Sequence, residues 1–274
     1  MYHSIIFGDL ATGSSGGMNY SYIAGKHTWD DWGIIPSSRP LVNPPSPKKN
    51  EIEIPGRSGT LDMSTLLTGY MTYQNRTGSW EFIVTNNMMT VSPQQKKMHN
   101  SWQTTYSAIM AYLNGKTMKC VLEDDKQYYY EGSFNVNSWK SSQNNSTITI
   151  DYTLYPFKRS IQSSEEPWLW DPFNFETGII RSYGATADYT IAANGSKTVS
   201  IPSNGCGDVI YPYIYSSQNN VTLTYDGSTY NLVGGVARYY PGLRILPYED
   251  ATFVFQNNNA SASSVRIQYR AGVL

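Results

Sequence analysis

The sequence predicts a mainly β protein in two parts, an α+β domain of sheet strands with one helix and then a β-sandwich or jelly roll. Three observations carry this. Aromatic residues make up 14% of the 274-residue chain and charged residues 15%, with 23 Tyr, 22 Gly and 14 Pro, a balance that suits short strands joined by turns. A single segment, ending at Gly115, repeats its apolar residues at helical spacing. After Pro167, short apolar runs recur between turn dipeptides, which is the signature of packed β-sheets.

Residues 1 to 50 carry a strand near Ser4 to Phe7, a Gly/Ser patch at Gly13 to Gly17, and the run Trp29-Asp30-Asp31-Trp32-Gly33-Ile34-Ile35-Pro36. A Pro-rich arm from Pro40 to Lys49, through Pro44, Pro45 and Pro47, should run extended over a surface, because each proline locks φ and removes a backbone donor. It leads into Ile54-Pro55-Gly56-Arg57-Ser58-Gly59, where Pro55 and Gly56 set a turn and Gly59 opens the backbone again. From Gly69 to Val84 two apolar runs flank Gln74-Asn75-Arg76-Thr77-Gly78. This predicts a hairpin whose second strand alternates Trp80, Phe82 and Val84 with Glu81 and Ile83. The helix follows, capped by Ser92, with Pro93 at its first position, Gln95 three residues after the cap and Gly115 just past its end. Trp102, Tyr106, Ile109, Met110 and Leu113 form its packing face. A meander then runs through Thr117 to Leu122, the acidic turn Glu123-Asp124-Asp125, Lys126 to Phe134, and Ser146 to Phe157. Ser160 to Glu166 is polar and loses this periodicity, so the domains are placed at 1–158 and 159–274.

In the second part the predicted strands are Asp188 to Ile191, Thr198 to Ile201, Val209 to Tyr215, Val221 to Tyr225, Ser228 to Leu232, Thr252 to Phe255 and Ser264 to Tyr269. Asn194-Gly195, Asn204-Gly205, Asp226-Gly227 and Gly234-Gly235 punctuate them.

Charge and chemistry narrow the function. A net charge of -1 offers no basic field for nucleic acid phosphates. The start of the chain lacks the basic and apolar regions of a secretory signal, so folding in a cytoplasm is expected. Cys120 and Cys206 fall in different domains and are read as unpaired structural thiols. No stretch approaches the ~20 apolar residues needed to span a bilayer, so no membrane insertion is expected. The three histidines, His3, His27 and His99, have no ligand spacing. The paired acids Asp30-Asp31 and Asp124-Asp125 sit in turn contexts, where Asp is favoured for its hydrogen bonds to backbone. With no phosphate loop and no nucleophile elbow either, the chain is read as having no catalytic, cofactor or metal site and as no enzyme.

With these residues in view, the chain resembles the distal tail proteins of long-tailed phages of Gram-positive hosts. The resemblance rests on Pro45-Ser46-Pro47-Lys48, Ile54-Pro55-Gly56-Arg57-Ser58-Gly59-Thr60-Leu61-Asp62, Asn75-Arg76, Tyr112-Leu113-Asn114-Gly115-Lys116, Tyr128-Tyr129-Tyr130-Glu131-Gly132, Tyr155-Pro156-Phe157-Lys158-Arg159 and the closing Val265 to Leu274, in that order. It implies a ring-forming hub, usually a hexamer, joining the tail tube to tail-tip, baseplate or receptor-binding proteins at the distal end of the virion tail, assembled in the host cytoplasm. It also implies a first domain similar to tube proteins that carries the ring, and a galectin-like sandwich outside it. DNA would pass through the lumen without specific binding, and acids such as Glu123, Asp124 and Asp125 would suit a lumen-facing tip.

Two sets of residues are singled out. Pro44, Pro45, Pro47, Pro55, Gly56 and Arg57 are expected to contact a neighbouring subunit, since a donor-poor arm finishes a sheet edge badly. The alternative function is a carbohydrate-binding module in host adsorption, with Trp168, Trp170, Tyr239 and Tyr240 as the contacts. The galectin sugar-binding pattern uses a His and a Trp, and after Trp170 the chain has neither, so saccharide binding by the second domain is expected to be weak or absent.

Overall fold

The structure is a computed structural model and describes residues 3–15, 18–85, 102–141, 145–164, 188–203 and 207–274. The protein is mainly β, with one helix among the described residues. It forms two compact units. The first is Met1–Ala11 and Tyr22–Ile161 with Leu274, and the second is Thr12–Ser21 and Gln162–Val273. The division is not a single cut, because the middle of the first hairpin groups with the second unit and residues 159–161 with the first.

The first unit holds β1 (Ile5–Ser15) and β2 (Met18–His27) apart from their residues 12–21, together with β3 (Ile34–Pro36), β4 (Glu51–Glu53), β5 (Thr60–Asp62), β6 (Arg76–Thr85), α1 (Trp102–Leu113), β7 (Thr117–Leu122), β8 (Tyr128–Ser141), β9 (Asn145–Leu154) and β10 (Lys158–Ser160). Its main sheet has the order β2-β1-β7-β8-β9-β6-β3, with β10 alongside β8. Alternation decides which side chains enter the core. On β6, Trp80, Phe82 and Val84 are buried, and on β9 so are Ile148, Ile150, Tyr152 and Leu154. The register sets Phe82 opposite Ile148 and Trp80 opposite Ile150. Phe7 meets Phe134 edge-on at 4.9 Å, and Trp80 lies 4.4 Å from Tyr152. Helix α1 closes this core with Ile109 and Leu113, both fully buried, while Tyr106 packs at its margin and Met110 stays 37% exposed. Gly115, at φ +75, ends the helix in the left-handed conformation. The expected cap at Ser92, Pro93 and Gln95 lies outside the described residues, as does the side chain of Trp102.

Three expectations are corrected. Gln74 to Gly78 is no hairpin turn, since β6 begins at Arg76 and pairs with β9 from there. Its glycine is needed for space: a Cβ on Gly78 would stand 2.3 Å from the Tyr152 hydroxyl oxygen. The strand at Ser4 to Phe7 continues to Ser15, and β2, for which no element was expected, returns beside it. Lys158 to Ser160 extends the sheet, with Arg159 opposite Tyr129.

The acidic turn is tied into its own unit. Glu123 Oε2 accepts from Ser4 N at 2.9 Å. Asp124 meets His3 Nδ1 and Arg39 Nε, each at 2.8 Å, and Asp125 pairs with Lys158. Burial raises the Asp124 carboxyl, but His3 and Arg39 outweigh it and hold the pKa below its ordinary 3.8. A depressed carboxyl contributes stability that is present above the unfolded value and is lost as pH falls through the folded one. The strap from His3 to Arg39 should therefore loosen only below pH 3.8. The protection of the Ser4 and Glu123 amides against hydrogen exchange, relative to the intrinsic rate at each pH, should fall there in the native protein and stay constant in Asp124→Asn, where the strap is already loose.

Cys120 is fully buried, which pushes its thiol well above the ordinary range. Cys206 lies outside the described residues.

The second unit contains β11 (Tyr189–Ile191), β12 (Ser196–Ile201), β13 (Tyr213–Ser216), β14 (Val221–Tyr225), β15 (Ser228–Leu232), β16 (Arg238–Tyr239), β17 (Ala251–Asn257), β18 (Ser263–Gln268) and β19 (Gly272–Val273). Two sheets, β11-β18-β13-β16 and β12-β17-β14-β15, enclose one core that includes Ile191, Ile214, Val265 and Ile267 from the first and Val199, Leu223, Phe253 and Phe255 from the second. This is the expected sandwich. Asp226 and Gly227, at φ +46 and +71, make the tight turn between β14 and β15.

Candidate functional site

The Pro-rich arm divides into two stretches of different character. Its first stretch is fastened to its own unit by side chains that supply what the prolines lack. Leu41 O accepts from Trp80 Nε1 at 2.9 Å, and Asn43 N donates to Tyr152 Oη at 3.0 Å. Asn43 Nδ2 donates to Thr77 O at 2.8 Å, and Asn43 O accepts from Arg76 Nη1 at 3.1 Å. Pro45 is buried, whereas Pro44 and Pro47 are exposed. Arg76 is the centre of this clasp. It is 5% exposed, its Nε reaches Pro156 O at 2.6 Å, and its guanidinium lies 5.6 Å over the Tyr130 ring. Burial lowers its pKa from the ordinary value, with no carboxylate among the groups that act on it.

The second stretch projects. Two backbone bonds close its base, Lys48 N to Thr72 O and Gln74 N to Ser46 O, both 2.8 Å. Beyond them β4 and β5 pair as a two-stranded hairpin, Ile52 opposite Leu61, whose residues are all exposed. Pro55, Gly56 and Arg57 form its tip, and Pro55 and Arg57 line a shallow hollow with Glu53, Ile54, Gly59 and Thr60. Asp62 then accepts from the backbone and hydroxyl of Ser64, which holds its carboxyl below the usual range. A short turn closed by Gly69 N to Thr65 O at 2.8 Å presents Leu66, 67% exposed, and Leu67, 96% exposed. With Ile52, Ile54 and Leu61, all more than a third exposed, they give the projection an apolar character that solvated hairpins avoid.

Gly56 sits at φ +85 with nothing within 4 Å of a Cβ built on it. A valine there meets no steric obstacle, only the cost of the left-handed conformation, at least about 1–2 kcal/mol and more for a β-branched residue. Gly56→Val should reshape the hairpin tip while lowering the melting temperature of the protein by no more than a few degrees, and it should weaken any assembly made through the tip. Calorimetry and light scattering on the same sample separate the two effects.

A second surface lies on the sandwich. In Tyr211-Pro212-Tyr213-Ile214-Tyr215 the period of two turns Ile214 inward and Tyr213 outward. Tyr213 stands opposite Tyr239 across the β13–β16 pair and opposite Gln268 across the β13–β18 pair. Tyr211, Tyr213 and Tyr239 are 55%, 51% and 45% exposed, and Tyr239 is 6.2 Å from Tyr211 and 6.3 Å from Tyr213. Tyr240 has another role: its hydroxyl accepts from Val233 N at 3.1 Å and its ring packs edge-on against Tyr230. Trp168 and Trp170 lie outside the described residues.

Sequence reasoning missed Leu66, Leu67, Tyr211 and Tyr213. An adjacent leucine pair inside the polar, turn-rich span from Asp62 to Gly69 was a readable signal of exposure. Tyrosine at every second position of residues 211–215 was another. Among the described residues no group of three or more His, Cys, Asp or Glu is placed to hold a metal ion, and no helix is long and apolar enough to cross a membrane.

No family model matches the chain, and no curated protein matches it. Among solved structures, the chain is similar to the crystal structure of the SPP1 Dit (gp 19.1) protein, described as a paradigm of hub adsorption apparatus in Gram-positive infecting phages. The similarity covers 99% of each chain, with a TM-score of 0.45 and 11% identity.

Proposed function

We propose that this protein is a non-enzymatic component of a phage tail, a hub at the distal end whose first unit closes with copies of itself into a hexameric ring. The ring joins the tail tube to tail-tip, baseplate or receptor-binding proteins, and DNA passes through its lumen without specific binding. The protein assembles in the host cytoplasm and ends in the virion. The observation that carries this reading is the projecting hairpin. Its base is held by hydrogen bonds at residues 46–48 and 72–74, while Leu66 and Leu67 beyond it are exposed. A second copy of the same unit would cover them. The order of sequence motifs that resembles distal tail proteins supports the same reading, and the net charge of -1 suits a channel that must release phosphates. The acids of the turn at Glu123 to Asp125 are engaged with Ser4, His3, Arg39 and Lys158, so a lumen-facing role for that turn is not part of this proposal.

Light scattering on the full chain tests it. The expected mass is that of a hexamer of the 30.8 kDa chain, with a central hole visible by negative-stain microscopy. A protein that remains monomeric at high micromolar concentration would sink the hub.

A further inference from the structure

We propose that the outward face of the β11-β18-β13-β16 sheet is a saccharide-binding surface centred on Tyr213 and Tyr239. The antiparallel register puts Gln268, Tyr213 and Tyr239 in one row across three strands, all on the face away from the core, with Tyr211 beside them. In the neighbouring row Arg266 stands opposite Tyr215 with its guanidinium 5.1 Å over that ring, and its Nε donates to Asp188 at 2.6 Å. The face thus joins a cluster of half-exposed phenol rings to a carboxamide and to a guanidinium and carboxylate held in place by each other. Phenol rings take the apolar C–H face of a sugar, and the amide, the ion pair and the phenol hydroxyls take its hydroxyl groups.

Size and charge choose this occupant over others. Three half-exposed tyrosines offer roughly 300 Å², against the ~800 Å² per partner of a stable protein interface. Arg266 is already neutralised by Asp188, so this row adds no field that would hold a phosphate backbone. A short neutral oligosaccharide fits both limits. The expectation of weak binding rested on the missing His and Trp, and an exposed tyrosine cluster agrees with weak rather than absent affinity. The proposal concerns residues of the second unit alone and does not depend on ring formation.

The test is an array of neutral oligosaccharides built from glucose, galactose, rhamnose and N-acetylglucosamine, probed with the full-length protein and followed by titration of whichever glycan scores. The expected result is a signal competed by the free glycan, with affinity falling about tenfold in Tyr213→Ser and in Tyr239→Ser, as for removal of one stacked ring beneath a flat ligand. Tyr239→Phe, which keeps the ring, should lose little, and Tyr248→Ser, at an exposed tyrosine outside the four strands of this sheet, should lose nothing. Melting temperatures and ring mass should match the native protein in every variant, so that a failure here is distinct from a failure of the hub. The proposal is overturned by an array without signal, by binding that survives Tyr213→Ser and Tyr239→Ser together, or by an equal loss in Tyr248→Ser. Concentration-dependent association abolished by Tyr239→Ser without any glycan signal would overturn it too, and would give the face to a protein partner.

Discussion

Replacing Leu66 and Leu67 together by serine is expected to turn the assembled protein into monomers without lowering the melting temperature of the chain. Both side chains are exposed, at 67% and 96%, so they contribute almost nothing to the packing of their own unit. Covering one leucine is worth about 1.5–3 kcal/mol. Removing two from each interface should therefore weaken each contact by roughly 3–6 kcal/mol, which is at least a hundredfold in dissociation constant. In a closed ring every interface loses the same amount, because each copy presents the same surfaces. Sedimentation of the native protein and the double variant at matched concentration reads the result directly. A variant that still forms the native oligomer would show that the projecting turn is not the assembly surface, even if the protein is a hub.

Arg76→Ala is expected to be the most damaging single change to the first unit. The side chain is 5% exposed, and its guanidinium joins Pro156 O to Asn43 O, so it connects the end of the meander, the start of β6 and the Pro-rich arm. Its removal leaves two carbonyls without their charged donor, each at about 1–3 kcal/mol. Deleting a buried charge recovers some desolvation. The net loss should be roughly 2–4 kcal/mol, which for a unit of this size lowers the melting temperature by about 5–15 °C. Arg76→Lys should restore only part of it, because Arg76 reaches the two carbonyls from two separate nitrogens, Nε and Nη1, whereas a lysine has one nitrogen and no planar fork. Thermal denaturation of the three proteins decides this. A change of less than about 2 °C in Arg76→Ala would mean that the clasp adds nothing to stability.

The same arginine shows where sequence reasoning stops. Read locally, Gln74 to Gly78 has the composition of a turn, and nothing nearby contradicts it. The strand that pairs with it from Arg76 onward is β9, with Leu154 opposite Arg76; the side-chain partners of Arg76 lie 80 and 33 residues away, at Pro156 and Asn43, and a side chain at Gly78 would meet Tyr152 on that neighbouring strand. The acidic turn is a parallel case. Its aspartates read as turn formers bonded to nearby backbone, but Asp124 holds His3 from the start of the chain and Arg39 from just before the arm.

What the sequence determined by itself is whatever a short window contains. The alternation of Trp80, Phe82 and Val84, the periodicity that buries Ile109 and Leu113, the helix stop at Gly115, and the Asp226-Gly227 turn all depend on residues within a few positions of each other. Backbone geometry fixes periods of two and of 3.6 and admits left-handed conformations at few residues. What only the tertiary structure decided is which of these pieces meet. Whether the arm lies on its own unit or projects from it was set by Trp80, Tyr152 and Arg76, which satisfy its carbonyls and amides up to Asn43 and leave the stretch beyond Lys48 to stand free. The spacing of Tyr213 gave its side of the strand. That Tyr239 and Gln268 flank it was decided by strand order, because pairing between distant segments is governed by the burial of the whole sandwich core and no local pattern encodes it.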